Sequence, residues 1–216
     1  MKIDVHTHAA PQEGVLAVVN LTLQPGQCPP SPLPRWFSAG IHPWYANPDS
    51  FGELDLLVAH PNCLAVGEAG LDRLKGPQPG VQTEVFRSQV RLAQRVGKPL
   101  IVHCVRMQSE VLSVLRHEAP STAVVVHGFN GKPEAAVRWL EAGCSLSFGA
   151  ALLHTNSVVH DALREVPAQR LFLETDDSGC SIHTIYARAA ELLGLSEEVL
   201  INRVALNFKT LFQTHE

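Results

Sequence analysis

Short runs rich in Val, Ile, Leu and Ala recur along the chain with little strict polar alternation, and stretches of helical spacing with Pro or Gly punctuation separate them. Strands buried on both faces read this way because neither face needs polar side chains, and parallel sheets are their usual setting. The runs predict eight strands, near residues 2–8, 15–23, 36–42, 64–71, 99–104, 122–129, 144–149 and 171–176. Helical spacing predicts helices over 82–96, 107–118, 133–142, 158–166 and 185–193, and a last one over 197–212 with Ser196 as its N-cap. Such alternation of strand and helix suggests an α/β fold of the TIM-type (β/α) barrel class. The first third is less regular. Only residues 9–14 separate the first two strands, too few for a crossover helix, and residues 24–35 form a loop carrying Pro25, Pro29, Pro30, Pro32 and Pro34. A barrel distorted or incomplete in that third is the expectation.

At 216 residues, 45% hydrophobic and 18% charged, the chain reads as a folded globular protein forming one domain over residues 1–216. The net charge of −4 gives no global attraction for a polyphosphate, so any nucleic-acid contact must be local. The five cysteines, Cys28, Cys63, Cys104, Cys144 and Cys180, form no CxxC pair. Their odd number and wide spacing argue against a disulfide framework or a zinc ribbon and fit a reducing cytoplasm. The N-terminal MKIDVHTHAA lacks the apolar core of a secretory signal, and VLAVVNLTL, beginning at Val15, is too short to span a bilayer. No membrane segment is expected, and no obligate protein partner is evident.

Chemistry collects at the expected strand ends. His6 and His8 stand two apart at the end of the first strand, so the pleat aims both imidazoles to one side. VGEAGLD supplies Glu68, LIVHC supplies His103, VVVHGF supplies His127 and LFLETD supplies Asp176. An isolated histidine is as readily a satisfied core or loop residue as a ligand. Six N/O donors delivered by five strands to the carboxyl rim, where barrel active sites form, make coincidence a poor account. His60, His117, His154, His160, His183 and His215 fall in predicted helices or loops and read as structural or surface residues. Imidazole with carboxylate suits Zn, Mn, Ni or Mg, and a carboxylate can bridge two cations, for which Glu68 is the natural choice. Two cations sharing a hydroxide can clamp both the attacking and the leaving oxygen of a phosphoester, which points to a hydrolase without a covalent intermediate.

The motifs DVHTH, GIHPW, VGEAGLD, PLIVHC, VHGFNGKPEAA, LSFG, LETD and NFKTLF, spread over nearly the whole chain, resemble those of TatD-type metal-dependent deoxyribonucleases within the amidohydrolase-like superfamily. The resemblance implies two divalent metal ions, one held by His6, His8, Glu68 and Asp176 and the other by Glu68, His103 and His127. It implies that His42 faces the substrate phosphate and that Asp176, with Glu68 a catalytic residue, orients or deprotonates the attacking water, a role carboxylate chemistry permits independently. Asp72 in GLD is a weaker candidate for support of the ligands, set against a plain loop-capping role. The implied substrate is the end of a single DNA strand or a small phosphoester. Two departures mark a compact variant: the region after His8 is short, and DSGCSIHTIY stands where the family has a Pro-containing substrate loop. Two other readings follow from the same residues: hydrolysis of another ester, lactone or amide, and a metal-binding protein of little activity.

Overall fold

The computed structural model describes residues 1–24, 26–155 and 157–212. Pro25 of the Pro-rich loop and His215 lie outside the described residues. Eight strands run β1 (Lys2–Thr7), β2 (Val15–Thr22), β3 (Phe37–Gly40), β4 (Cys63–Asp72), β5 (Leu100–Val105), β6 (Val124–Val126), β7 (Ser145–Phe148) and β8 (Leu171–Leu173), and they neighbour one another in chain order. The pairs β1·β2, β3·β4, β4·β5 and β7·β8 are parallel. Seven α-helices among the described residues are α1 (Phe51–Ala59), α2 (Pro79–Val96), α3 (Gln108–Glu118), α4 (Pro133–Glu141), α5 (Val158–Glu165), α6 (Ile182–Leu193) and α7 (Glu197–Phe212). From β3 onward a helix follows each strand. Among the described residues the first two connections carry none, as the short 9–14 spacer and the Pro-rich loop require. No helix among the described residues is long and apolar enough to cross a membrane.

Two compact units emerge, one of Met1–Val19 with the chain from Val126 onward, the other of Asn20–Val125. In the first, β1 and β8 are in contact, and a parallel bridge joins Thr7 to Asp176 just beyond the end of β8. Helices α6 and α7 pack on β1, where Tyr186 is fully buried. Phe208 and Phe212 of α7 stack at 4.5 Å, and Phe212 meets Phe172 of β8 edge-on at 6.1 Å, an arrangement aromatic quadrupoles favour.

In the second unit every residue of β4 is buried. A Cβ on Gly40 would come within 2.6 Å of the Gly67 carbonyl carbon, so β3 approaches β4 at a distance only a glycine permits. Two buried glutamines of α2, seven residues apart and so on one face, reach back to the residue after β3 and to the last residue of β4. The Gln89 amide accepts from Ile41 N–H at 2.8 Å and donates to Ile41 C=O at 2.9 Å. The Gln82 amide accepts from Asp72 N–H at 2.8 Å and donates to Asp72 C=O at 3.1 Å.

The expected strands over 36–42, 122–129 and 171–176 are shorter than the apolar runs, so His42, His127 and Asp176 stand in the loops just after their strands, while Glu68 lies inside β4 rather than at its end. Just beyond β6 and β8 the chain leaves the extended region, at Gly128 with φ 58° and at Asp176 with φ 52°.

Candidate functional site

In the first unit, β1 ends on His6 and Thr7 and is followed by His8, with His6 fully buried and His8 exposed. The loop after β8 brings Asp176 to them: its N–H donates to His6 C=O at 3.0 Å, and His8 N–H donates to its carbonyl at 3.1 Å. These bonds hold a non-glycine residue at positive φ, an uncommon conformation that concentrates at functional sites. The Asp176 carboxylate oxygen Oδ1 lies 3.5 Å from His6 Nε2 and 3.4 Å from His8 Nε2. His127 joins them, its ring centroid 4.3 Å from that of His6. One donor atom from each of His6, His127 and Asp176 falls within a 4.8 Å span.

Two acids that the motif reading passed over support this cluster. Asp4, buried at the centre of β1, accepts from Thr175 N–H at 3.0 Å and from Thr175 Oγ1 at 2.6 Å, and so fixes the residue before Asp176. Burial raises its carboxyl to about 6, and the Thr175 hydrogen bonds pull the other way. Glu174, also buried, accepts from Gly128 N–H at 2.5 Å, and the same oxygen lies 3.5 Å from His127 Nδ1. A carboxylate behind an imidazole commonly sets the ring's orientation at a metal. The available signal was a carboxylate falling inside an expected strand, at Asp4 in 2–8 and at Glu174 in 171–176, since buried charge needs a partner.

In the second unit, Glu68 accepts contacts from two imidazoles at one oxygen, His42 Nε2 at 3.1 Å and His103 Nδ1 at 2.6 Å, and the three donors again fall within 4.8 Å. Asn20, a polar residue inside the apolar β2, receives Glu68 N–H at 2.9 Å and Ser38 Oγ at 3.1 Å, which locks the backbone under the carboxylate. His42 Nδ1 accepts from Trp44 N–H at 3.1 Å, so a neutral ring carries its hydrogen on Nε2. His103 faces carboxylates at both nitrogens, Glu68 at 2.6 Å and Asp72 at 3.3 Å. Asp72 is firmly held: Trp44 Nε1 donates to it at 2.6 Å and Leu74 N–H at 2.7 Å. Burial alone would raise its carboxyl, but the hydrogen bonds from Trp44, Leu74 and His103 outweigh it and keep it below the ordinary range. Asp72 thus both caps its loop and touches a candidate ligand.

Of the residues expected from sequence, His6, His8, His127 and Asp176 gather in the first unit and His42, Glu68, His103 and Asp72 in the second. Trp44, Gln82, Gln89 and Asn20 were not foreseen. The cysteines are free thiols; Cys144 and Cys63 are buried, Cys28 is exposed, and Cys104, next to His103, is pushed up to about 11 by burial.

A chain-ordered eight-stranded α/β fold whose strands and following loops carry histidines beside carboxylates is a TIM-type barrel with groups able to hold a metal ion. The TatD related DNase family model matches residues 31–213, and the chain belongs to that family. An uncharacterized metal-dependent hydrolase TatD of Mycobacterium tuberculosis is 39% identical over 57% of this chain and 50% of that protein. A protein named 3'-5' ssDNA/RNA exonuclease TatD, from Erwinia billingiae, is 33% identical over 72% of the chain and 59% of its own length. The chain thus aligns with between half and three fifths of these two relatives. The fold is shared with the crystal structure of YjjV, a TatD homolog from Escherichia coli K12, at a TM-score of 0.83 over 99% of this chain and 98% of that one, with 24% identity.

Proposed function

We propose that the chain is a divalent-metal-dependent phosphodiesterase that trims the end of a single nucleic-acid strand. The observation that carries this reading is the pair of donor trios, His6, His127 and Asp176 in one unit and His42, Glu68 and His103 in the other. Their chemistry fits divalent cations: each trio combines imidazole nitrogen with carboxylate oxygen. His103 adds a second sign, because a neutral ring can donate to only one of its two carboxylate neighbours, and a cation would take the remaining lone pair. His6, His8, His127 and Asp176 would hold metal in the first unit, and Glu68 and His103 in the second. Bound cations would polarise the phosphoryl oxygen and acidify a water.

The chain's own groups then have distinct duties. Asp176, its carboxylate about one-third exposed, takes the proton of the attacking water. Nε2–H of His42, held in that tautomer by Trp44 N–H, donates to Glu68 at 3.1 Å and would turn to a phosphoryl oxygen when Glu68 is taken up by a cation. Asp4 and Glu174 orient the groups they touch. The Erwinia billingiae relative's name supports a single-stranded substrate, and the free thiols support a reducing compartment such as the cytoplasm.

The test is hydrolysis of short single-stranded DNA and RNA by protein stripped with chelator and reloaded with Mg, Mn, Zn or Ni, with Glu68→Ala alongside. Restored cleavage, a fall of at least about 100-fold in the variant and loss of bound metal from a still folded protein are expected. Turnover of a lactone or amide with none of any phosphodiester would replace this reading by its nearest rival.

A further inference from the structure

Beside His42, the second unit presents an exposed surface that the proposed chemistry does not use. Trp44 is 36% exposed and Tyr45 38%, although both follow a buried histidine and proline. The indole is oriented on several sides. Its N–H is committed to Asp72, its ring meets His42 edge-on at 4.7 Å, and the Lys75 ammonium lies 3.9 Å above its face. The loop carrying Lys75 is pressed against it, since a Cβ on Gly76 would come within 2.6 Å of Pro43 C=O and 2.9 Å of Trp44 Cα. Arg73 of the same loop is engaged with Glu110, whereas Lys75 forms no ion pair among the described residues. A preset aromatic face and a cation without a carboxylate therefore stand together, one ring away from the Glu68 cluster.

We propose that Trp44 and Lys75 form a nucleoside subsite, in which an unpaired base stacks on the indole and the lysine, displaced from the ring, pairs with the adjoining phosphate. A single-stranded end suits both parts, because every base has a π-face and each linkage carries one negative charge. An exposed cation–π contact is weaker than a stacked base, so the lysine gives up the face readily. Stacking tolerates any base, and the subsite should read strandedness rather than sequence. A paired base is already stacked within its duplex and cannot use it.

The subsite rests on the proposed nuclease reading, and the experiment separates the two. In chelated protein carrying Trp36→Phe and Trp139→Phe, Trp44 is the remaining tryptophan, and its fluorescence is titrated with oligothymidylate. Quenching with an affinity about tenfold weaker in Lys75→Gln is expected. In metal-loaded protein, Trp44→Ala should raise KM for oligothymidylate about tenfold relative to Trp44→Phe. Both variants lose the bond to Asp72, but only phenylalanine keeps a stacking face. With abasic sugars in place of the last two nucleosides, the Ala and Phe variants should converge. Equal KM for the two variants on oligothymidylate, or a difference that persists on the abasic strand, would overturn the subsite. Trp44 quenching by a strand that the loaded protein never cleaves would support the subsite and refute the nuclease reading.

Discussion

The Tyr186 hydroxyl donates to Ile3 C=O at 3.0 Å and accepts from Ile3 N–H at 3.1 Å, inside a core where neither backbone group reaches water. It takes the place of a strand neighbour at the start of β1, three residues before His6. Burial raises its phenol, so the hydroxyl keeps its proton at any physiological pH. Tyr186→Phe preserves the ring and orphans both backbone groups, which should cost about 1–3 kcal/mol, read as a lower denaturant midpoint at unchanged slope. Burial acts on the thiols in the same direction: Cys144 is pushed up to about 12 and Cys63 is also raised. An alkylating reagent at neutral pH should therefore label the exposed Cys28 and leave Cys63 and Cys144 until the protein unfolds. Rapid labelling of Cys144 in the native state would contradict that burial.

At the scale of elements, α2 holds part of the site through amides rather than through its apolar stripe. Gln89→Ala should leave Ile41 N–H and C=O unpaired in the core and destabilise by about 1–3 kcal/mol. Because Ile41 immediately precedes His42, turnover should fall further than stability alone explains. Comparison of kcat with melting temperature below the transition checks this, and a variant with full turnover would show that the backbone at Ile41 needs no such anchor. Neither glutamine was legible, since a Gln in a helical pattern normally faces solvent and only the tertiary structure shows that these do not. Apolar runs were legible because strands buried on both faces leave a continuous signal. Ser196 was legible as a cap, and its Oγ does accept from Val199 N–H at 3.3 Å. Helix α1 escaped because its apolar positions make no clean stripe: Leu54 is buried, while Leu56 is 77% exposed. The candidate ligands could be found as types at strand ends, but their grouping depends on where loops such as the one at Asp176 turn.

For the molecule as a whole, charge bounds how substrate can be recognised. A net charge of −4 repels polyphosphate at long range, and Arg73, one of the cations in the loops after the strands, is neutralised by Glu110. Lys75, Arg106 and Lys132 remain exposed, so productive contact must come from bound cations and one or two phosphates gripped locally. Bound metal should also stabilise the fold: at a free concentration 100 times its Kd, one ion adds about 2.7 kcal/mol, and chelation should lower Tm correspondingly. Each phosphate neutralised contributes about −0.7 to the logarithmic salt slope for single strands, so binding of a short oligonucleotide should show a slope no steeper than about −2. Duplex DNA, which rewards an extended basic face this chain lacks, should bind weakly at physiological salt. Titrations from about 50 to 200 mM salt, with single-stranded and duplex oligonucleotides of equal length, decide the matter. Tight duplex binding with a slope near −6 would require six or more phosphate contacts, more than the three exposed cations left in these loops can make.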